Sequence, residues 1–135
     1  MDQRLATLIA DYLASVSLAL RLLQEAGIAL PRSNTEWACN GIAQTGILPG
    51  GTKYFKHGYG CAVHLEGGTV DFDFGEKGET NGFDAWRLSA FAADTLGQYG
   101  FHSEKELLAC FKAEVATGTL VYSGYILHYL RHAGA

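Results

Sequence analysis

Residues 58–75 have the sequence GYGCAVHLEGGTVDFDFG, and this stretch decides the fold of the chain. Apolar and polar side chains alternate on both sides of Gly67-Gly68, as they do in two antiparallel strands that bury one face. Two glycines suit a two-residue turn because they tolerate positive φ angles. With the turn placed there, the apolar residues oppose one another in three pairs: Leu65 with Val70, Val63 with Phe72, and Cys61 with Phe74. The stretch therefore predicts a β-hairpin over residues 58–75.

The second face of this predicted hairpin is polar. The same register opposes His64 to Asp71 and Ala62 to Asp73. Directly opposed Cβ atoms lie about 4.5–5.5 Å apart, so His64 and Asp71 are expected within hydrogen-bonding reach. An Asp-oriented His is the beginning of a general-base site, and a His with two Asp can also bind a divalent metal. A solvated strand face and a partner-binding surface are the alternatives, and all stay open on the sequence alone.

Four helices are predicted outside the hairpin. Apolar residues recur at helical spacing, capping boxes lie at residues 33–36 and 103–106, and glycines mark the ends. A Pro-Gly-Gly turn at residues 49–51 follows the second helix. The predicted helices span about residues 3–26, 33–44, 83–96 and 103–116.

The C-terminal segment, residues 119–132, permits two interpretations. Its Val, Ile and Tyr residues favour a strand, whereas its leucines and polar tail also allow a helix. We predict a strand beside the hairpin, because two strands alone are marginally stable. The fold class predicted is α+β, with a small antiparallel sheet packed against about four helices.

Length and composition indicate one soluble domain over residues 1–135. The chain is 48% hydrophobic and 18% charged, which argues against a disordered chain. A net charge of −4 argues against nucleic-acid binding, which relies on Lys and Arg to neutralise phosphates. The apolar run at residues 12–20 is shorter than a bilayer span, so no membrane association is expected. Three widely spaced cysteines fit reduced thiols and a cytoplasmic location.

Other candidate sites are weaker. His128 and His132 are four residues apart, but the Glu of the H-E-x-x-H zinc motif is missing. Cys61 is expected on the apolar hairpin face, where burial raises the pKa of a thiol and lowers its reactivity. Trp86 and Arg87 are residue types that often anchor interfaces, although Trp86 is equally suited to a core. We expect no cofactor and no metal. On balance we expect a protein that is not an enzyme.

Three short segments carry a resemblance to a known family. They are GCAV at residues 60–63, VDFDFG at 70–75 and GFDAWRL at 82–88. In these segments the chain resembles an uncharacterised bacterial domain family, similar to small immunity-type proteins of polymorphic-toxin loci. The resemblance implies a small cytosolic protein that binds and blocks a toxin. Its motifs are structural, and no catalytic chemistry is carried over.

These observations favour a protein-binding module, with an immunity-type inhibitor as the specific hypothesis and a basic toxin domain as one candidate partner. A small hydrolase using His64 with Asp71 and Asp73, or a small-ligand sensor, is the alternative. The partner-binding residues predicted from the sequence are His64, Asp71, Asp73, Glu76, Glu79, Asp84, Trp86 and Arg87.

Overall fold

The computed structural model describes residues 1–28, 44–57, 60–73, 85–123 and 126–129. Within these ranges the α+β class is confirmed. The helices are α1 Gln3–Glu25, α2 Ala85–Phe91, α3 Leu96–Tyr99 and α4 Glu104–Ala116. The strands are β1 Gln44–Ile47, β2 Lys53–His57, β3 Gly60–Leu65, β4 Gly68–Asp73, β5 Leu120–Ser123 and β6 Ile126–Tyr129.

The predicted hairpin is present as β3 and β4, but its predicted register is wrong by two residues. Glu66 and Gly67 form the turn, so His64 opposes Thr69 and Val63 opposes Val70. Gly68 opens β4 at a φ of 147°, a backbone conformation that favours glycine. A shift of two residues keeps every side chain on its predicted face, because the side-chain period of a strand is two. Hydrophobic alternation therefore fixes the faces of this hairpin and leaves its turn position open.

The hairpin belongs to an antiparallel sheet in the order β1-β2-β3-β4. The turn predicted at residues 49–51 is confirmed: Gly50 and Gly51 have φ angles of 87° and 92°, and the Gly51 N–H donates to the Leu48 carbonyl at 3.0 Å. This turn joins β1 to β2, which the sequence interpretation had not assigned as strands. Gln44 begins β1, and the rest of the helix predicted over residues 33–44 lies outside the described residues.

The C-terminal segment forms strands, as predicted, but within the described residues neither strand pairs with the hairpin. β5 pairs with β6 in a separate two-stranded sheet, and Ser123 opposes Ile126 across the connection. Only two residues join these strands, so their pairing closes a very short loop and costs little chain entropy. The neighbour of the hairpin is instead β2, which pairs with β3 from Lys53 opposite His64 to His57 opposite Gly60.

Tyr54 and Gly46 show why β1 needs a glycine at its centre. The two residues oppose each other between β1 and β2. The Tyr54 side chain lies directly over Gly46, and a Cβ atom at Gly46 would overlap two atoms of its ring and the phenolic oxygen. An aromatic ring that covers a glycine in a neighbouring edge strand is a recognised way of fixing register. This close approach therefore fixes the register between β1 and β2.

Contacts divide the chain into two compact units, residues 1–12 with 82–135 and residues 13–81. Helix α1 contributes to both. The prediction of a single domain over residues 1–135 stays a prediction, since compact units can exist within one domain. Among the described residues of the second unit, the buried apolar ones are Val16, Ala19, Leu23, Leu48, Cys61, Val63, Val70 and Phe72.

The first unit has an aromatic and aliphatic core. Tyr12 and Phe91 meet edge to face, with their ring centroids 5.4 Å apart and their planes at 84°. Such aromatic pairs stabilise a core more than the burial of their apolar area alone would. The buried apolar residues of this unit are Leu5, Leu8, Ile9, Tyr12, Leu88, Phe91, Ala92, Phe101, Leu107, Phe111 and Leu120.

Helix α1 is apolar over most of its length. It is the one helix of the described ranges that is long and apolar enough to cross a membrane, judged by length and composition. Core helices of soluble proteins share these properties. A stripe of α1 with helical spacing is buried within the structure, as the periodicity over residues 3–26 predicts, and Gly27 ends the helix at a φ of 76°.

Arg4 is the centre of a cluster in the first unit. It pairs with the carboxylates of Asp2 and Glu106 and lies over the ring of Phe101. Its guanidinium lies 2.9 Å from an Asp2 oxygen and 2.6 Å from a Glu106 oxygen, and 4.6 Å from the centroid of the Phe101 ring. Hydrogen bonds from Arg4 hold the pKa of Asp2 at about 2, well below its ordinary value. The pKa of Glu106 is also lowered, mainly because the His102 N–H donates to its carboxylate and because Arg4 does so too.

The capping box predicted at residues 103–106 is half confirmed in this cluster. Ser103 is the N-cap of α4, and its hydroxyl accepts from the Glu106 N–H at 3.2 Å. The Glu106 carboxylate accepts from the N–H of His102 at 2.9 Å, where a capping box would use the N–H of Ser103. Glu106 thus satisfies a backbone donor at the helix start while it binds Arg4.

The lowered pKa of Asp2 predicts that the stability of the protein depends on pH. The pKa of Asp2 is lowered by folding, so its charge stabilises the native state above pH 4 and loses that effect as the pH falls towards 2. Replacing Asp2 with Asn keeps an acceptor for the N–H of Arg4, where Asp2 caps α1, and removes the charge. We expect Asp2→Asn to be less stable than the native protein at pH 6 and the difference to shrink at pH 2.5. Urea unfolding of both proteins at pH 6, 4 and 2.5 measures this; a difference that grows on acidification contradicts it.

Candidate functional site

The sheet β1–β4 has two faces of different character. Alternate residues point inward, and the inner face of β3 and β4 is the buried row of Cys61, Val63, Val70 and Phe72. The opposite side chains form what we call the outer face. Its members in the described residues are Thr45, Ile47, Lys53, Phe55, Ala62, His64, Thr69 and Asp71.

The strand registers align these side chains in two rows across the sheet. The first row runs Ile47, Lys53, His64, Thr69 from β1 to β4. The second row runs Thr45, Phe55, Ala62, Asp71. Neighbours in a row are directly opposed, so their Cβ atoms are about 4.5–5.5 Å apart.

Two apolar side chains on the outer face are exposed. Ile47 exposes 71% of its surface and Phe55 exposes 36%. They occupy neighbouring rows of two paired strands, so they form one patch together with Lys53 and His64. A shallow depression of about 480 Å³ lies in this patch, lined by Thr45, Gly46, Ile47, Lys53, Tyr54, Phe55 and His64. Exposed apolar groups with a polar rim are typical of interaction sites.

His64 does not form the predicted pair with Asp71. Its Nδ1 atom lies 3.1 Å from the Thr69 hydroxyl oxygen, and Asp71 is opposite Ala62. The two-residue difference in register causes this correction. The direct opposition of His64 and Asp71 that the hydrolase hypothesis assumed is therefore absent. Asp73 opposes Gly60 in the backbone pairing, and its side chain lies outside the described residues.

The two cysteines of the described residues are poor nucleophiles. Burial, with a further contribution from the Asp71 charge, raises the pKa of the Cys61 thiol to about 12. Burial and the neighbouring Asp2 raise the pKa of Cys110 to about 11. The thiolate is the reactive form, so both thiols are almost wholly protonated at neutral pH. The predicted burial of Cys61 is confirmed.

The remaining predicted binding residues fall into three groups. Trp86, on α2, is 61% exposed and available to a partner. Arg87 is only 8% exposed, which disfavours it as a surface anchor. The other three, Glu76, Glu79 and Asp84, lie outside the described residues.

Metal binding has no support from geometry in the described ranges. There, no three side chains of His, Cys, Asp or Glu come together as a possible metal site. The backbone of His128 lies in β6, while its side chain and His132 are outside the description. The helical conformation that would bring residues four apart together is thus not present at His128.

Ile47, Lys53 and Phe55 are the site residues that sequence reasoning missed. A signal was present: the turn at residues 49–51 separates QTGI at 44–47 from KYFKH at 53–57, as in a hairpin. The helix predicted over residues 33–44 ends at Gln44, where β1 begins. Both segments are short, and neither shows the regular alternation of β3 and β4.

Among known proteins, the chain matches one family model. No curated protein and no solved structure matches the chain. The family described as a domain of unknown function, DUF6896, matches residues 5–130. Since this match spans nearly the whole sequence, the chain belongs to the DUF6896 family.

Proposed function

We propose that this protein is a binding module that docks the outer face of its sheet on a partner protein, in the manner of an immunity-type inhibitor. The observation that carries the proposal is the exposure of Ile47 and Phe55 at diagonal positions on two hydrogen-bonded strands. A rigid sheet presents these side chains without the cost of ordering a loop on binding. The resemblance of the GCAV, VDFDFG and GFDAWRL segments to immunity-type proteins favours a toxin domain as the partner.

The polar groups around this patch indicate what the partner carries. Lys53 stands between Ile47 and His64 in one row, and Asp71 ends the neighbouring row on β4. A complementary partner surface has an apolar side chain at its centre and a carboxylate facing Lys53. Complementary charges of this kind speed association and select the partner, while the buried apolar anchor supplies most of the affinity.

The acidic composition agrees with a partner that is basic on balance. The chain has a net charge of −4, with 14 acidic and 10 basic side chains. A toxin domain that acts on nucleic acid needs positive charge to bind its substrate. A negatively charged inhibitor would therefore associate rapidly with such a domain. The cytoplasm, where such a toxin acts, is the location we propose.

Replacing Ile47 with Asp tests the proposed face. We expect the substitution to weaken partner binding by roughly 30-fold or more, the effect of removing a central apolar anchor and burying a charge. Tagged native protein and the variant are used to capture partners from the native lysate. The protein that is lost with Ile47→Asp is then purified, and its affinity for each variant is measured by isothermal titration calorimetry.

Leu18→Asp is the matched control. Leu18 is an aliphatic residue of α1 with an exposed fraction of 36%, so the same change of chemistry is made off the outer face. Its binding should equal that of the native protein. If the two variants lose the partner equally, or neither loses it while circular dichroism shows both folded, the outer face is not the docking surface.

A further inference from the structure

Trp86 belongs to a second feature, a small cleft in the first unit. The cleft is lined by Trp86, Ser89, Ala90, Ala93, Leu96 and Glu104. Trp86 is the most exposed aromatic side chain of the described residues, at 61%. Small residues of α2 and the turn that follows it, with Leu96 of α3, line the space beside the indole, and Glu104 brings a carboxylate from the first turn of α4.

The size of the cleft limits what it can hold. Its volume is about 270 Å³. Sites for complete small molecules are commonly about 300–1,000 Å³ and bury most of the ligand. A space at the lower limit, open on one side, suits one long side chain from another protein better than a free metabolite.

The chemistry of the lining indicates the charge of that side chain. An indole face attracts cations, and a carboxylate in the same cleft pairs with them. Asp94, next to Ala93 in the chain, is also exposed. The nearest basic neighbours in sequence do not line the cleft: Arg87 is buried, and Lys105 lines a separate groove with Ala85 and Leu108.

We infer that this cleft is a subsite for a single lysine or arginine side chain of a partner protein. The cation lies against the Trp86 ring, and its charged end pairs with Glu104. The inference rests on the proposed function in that the occupant belongs to a protein partner, but it uses a different surface in a different unit. It also explains why an exposed Trp stands beside small residues, since a bulkier neighbour at Ala90 or Ala93 would fill the space.

A titration with a single amino-acid probe tests the subsite without the partner. Protein labelled with ¹⁵N is titrated with N-acetyl-arginine amide at constant ionic strength, and the indole N–H signal of Trp86 is followed by NMR. Trp37→Phe assigns the signal, because the chain has two tryptophans. We expect a saturable shift with a midpoint on the order of 10–100 mM, the range of one cation–π contact with one ion pair.

N-acetyl-citrulline amide is the matched control probe, because it has nearly the shape of arginine and no charge. It should give no saturable shift. Glu104→Gln should raise the arginine midpoint by about 2- to 5-fold, while Asp94→Asn changes it less. Equal shifts with both probes, no shift with arginine up to 200 mM, or an unchanged midpoint in folded Glu104→Gln overturns the inference. These outcomes do not depend on Ile47, so the Ile47→Asp experiment tests the outer-face proposal independently.

Discussion

Replacing Phe72 with alanine should lower the free energy of unfolding by about 3–5 kcal/mol, the usual cost of removing a buried aromatic ring. Phe72 is fully buried on the inner face of β4, opposite Cys61. Its loss removes the apolar area that the ring buries and leaves a cavity that the paired strands cannot easily close, because their hydrogen bonds hold them in register. Urea unfolding followed by circular dichroism measures the change.

Phe55→Ala is the matched control, since it makes the same change on the other face of the same sheet. Phe55 is 36% exposed and therefore only partly covered, so we expect a smaller cost than for Phe72, about 1–2 kcal/mol. Similar losses for the two variants would mean that the inner and outer faces are assigned wrongly. A stable Phe55→Ala protein is also a useful second variant for the binding experiment.

The corresponding change in the first unit is Phe111→Ala, for which we again expect a loss of about 3–5 kcal/mol. Phe111 is buried on α4 one turn after Leu107, and these two are the buried residues of that helix. Helix α4 has only a weakly apolar face otherwise, so its attachment depends heavily on this ring. Chemical denaturation is the measurement here as well.

Trp86→Ala serves as the control for Phe111→Ala, because it deletes a larger aromatic side chain that is mostly exposed. Its expected cost is about 1 kcal/mol or less. A loss as large as that of Phe111→Ala would show that the indole is packed in solution. That result would also remove the Trp86 cleft from consideration as an open subsite.

The hairpin shows how far alternation of side chains can predict a sheet. The faces of β3 and β4 follow from hydrophobicity, since moving one residue along the strand would place Val63 in water. The choice between turns at residues 66–67 and 67–68 has no such penalty, because the difference in register is two residues. Backbone geometry decides it, and Glu-Gly-Gly permits either turn. The predicted His64–Asp71 pair failed for this reason alone.

The arrangement of the other strands depends on which partners lie close along the chain. The composition of residues 119–132 indicates strand, but it contains no information on the strand's neighbour. Pairing within residues 120–129 needs a two-residue connection, whereas pairing with the hairpin needs a long crossover. The same preference for local pairing joins β1 to β2 through the turn at residues 49–51. In both places the pairing is the one that needs the shorter connection.

The candidate site was predictable only in part, for related reasons. His64 was assigned correctly to the outer face, because a two-residue shift in register leaves each side chain on the same face of the sheet. Ile47 and Phe55 were missed because their strands are short and lack strict alternation. The exposure of Trp86 and the burial of Arg87, adjacent residues on α2, depend on packing that no local pattern records.

Cys61 gives the sheet a chemical reporter of its own opening. With its thiol buried and its pKa raised to about 12, an alkylating reagent at pH 8 reacts with the native state very slowly. Modification then proceeds through molecules whose inner face is transiently accessible. In a variant that keeps Cys61 as its single cysteine, the labelling rate relative to that of an unfolded peptide gives the fraction of time the sheet spends open. The stability of the surface that carries Ile47 and Phe55 can therefore be measured in native buffer, with and without a bound partner.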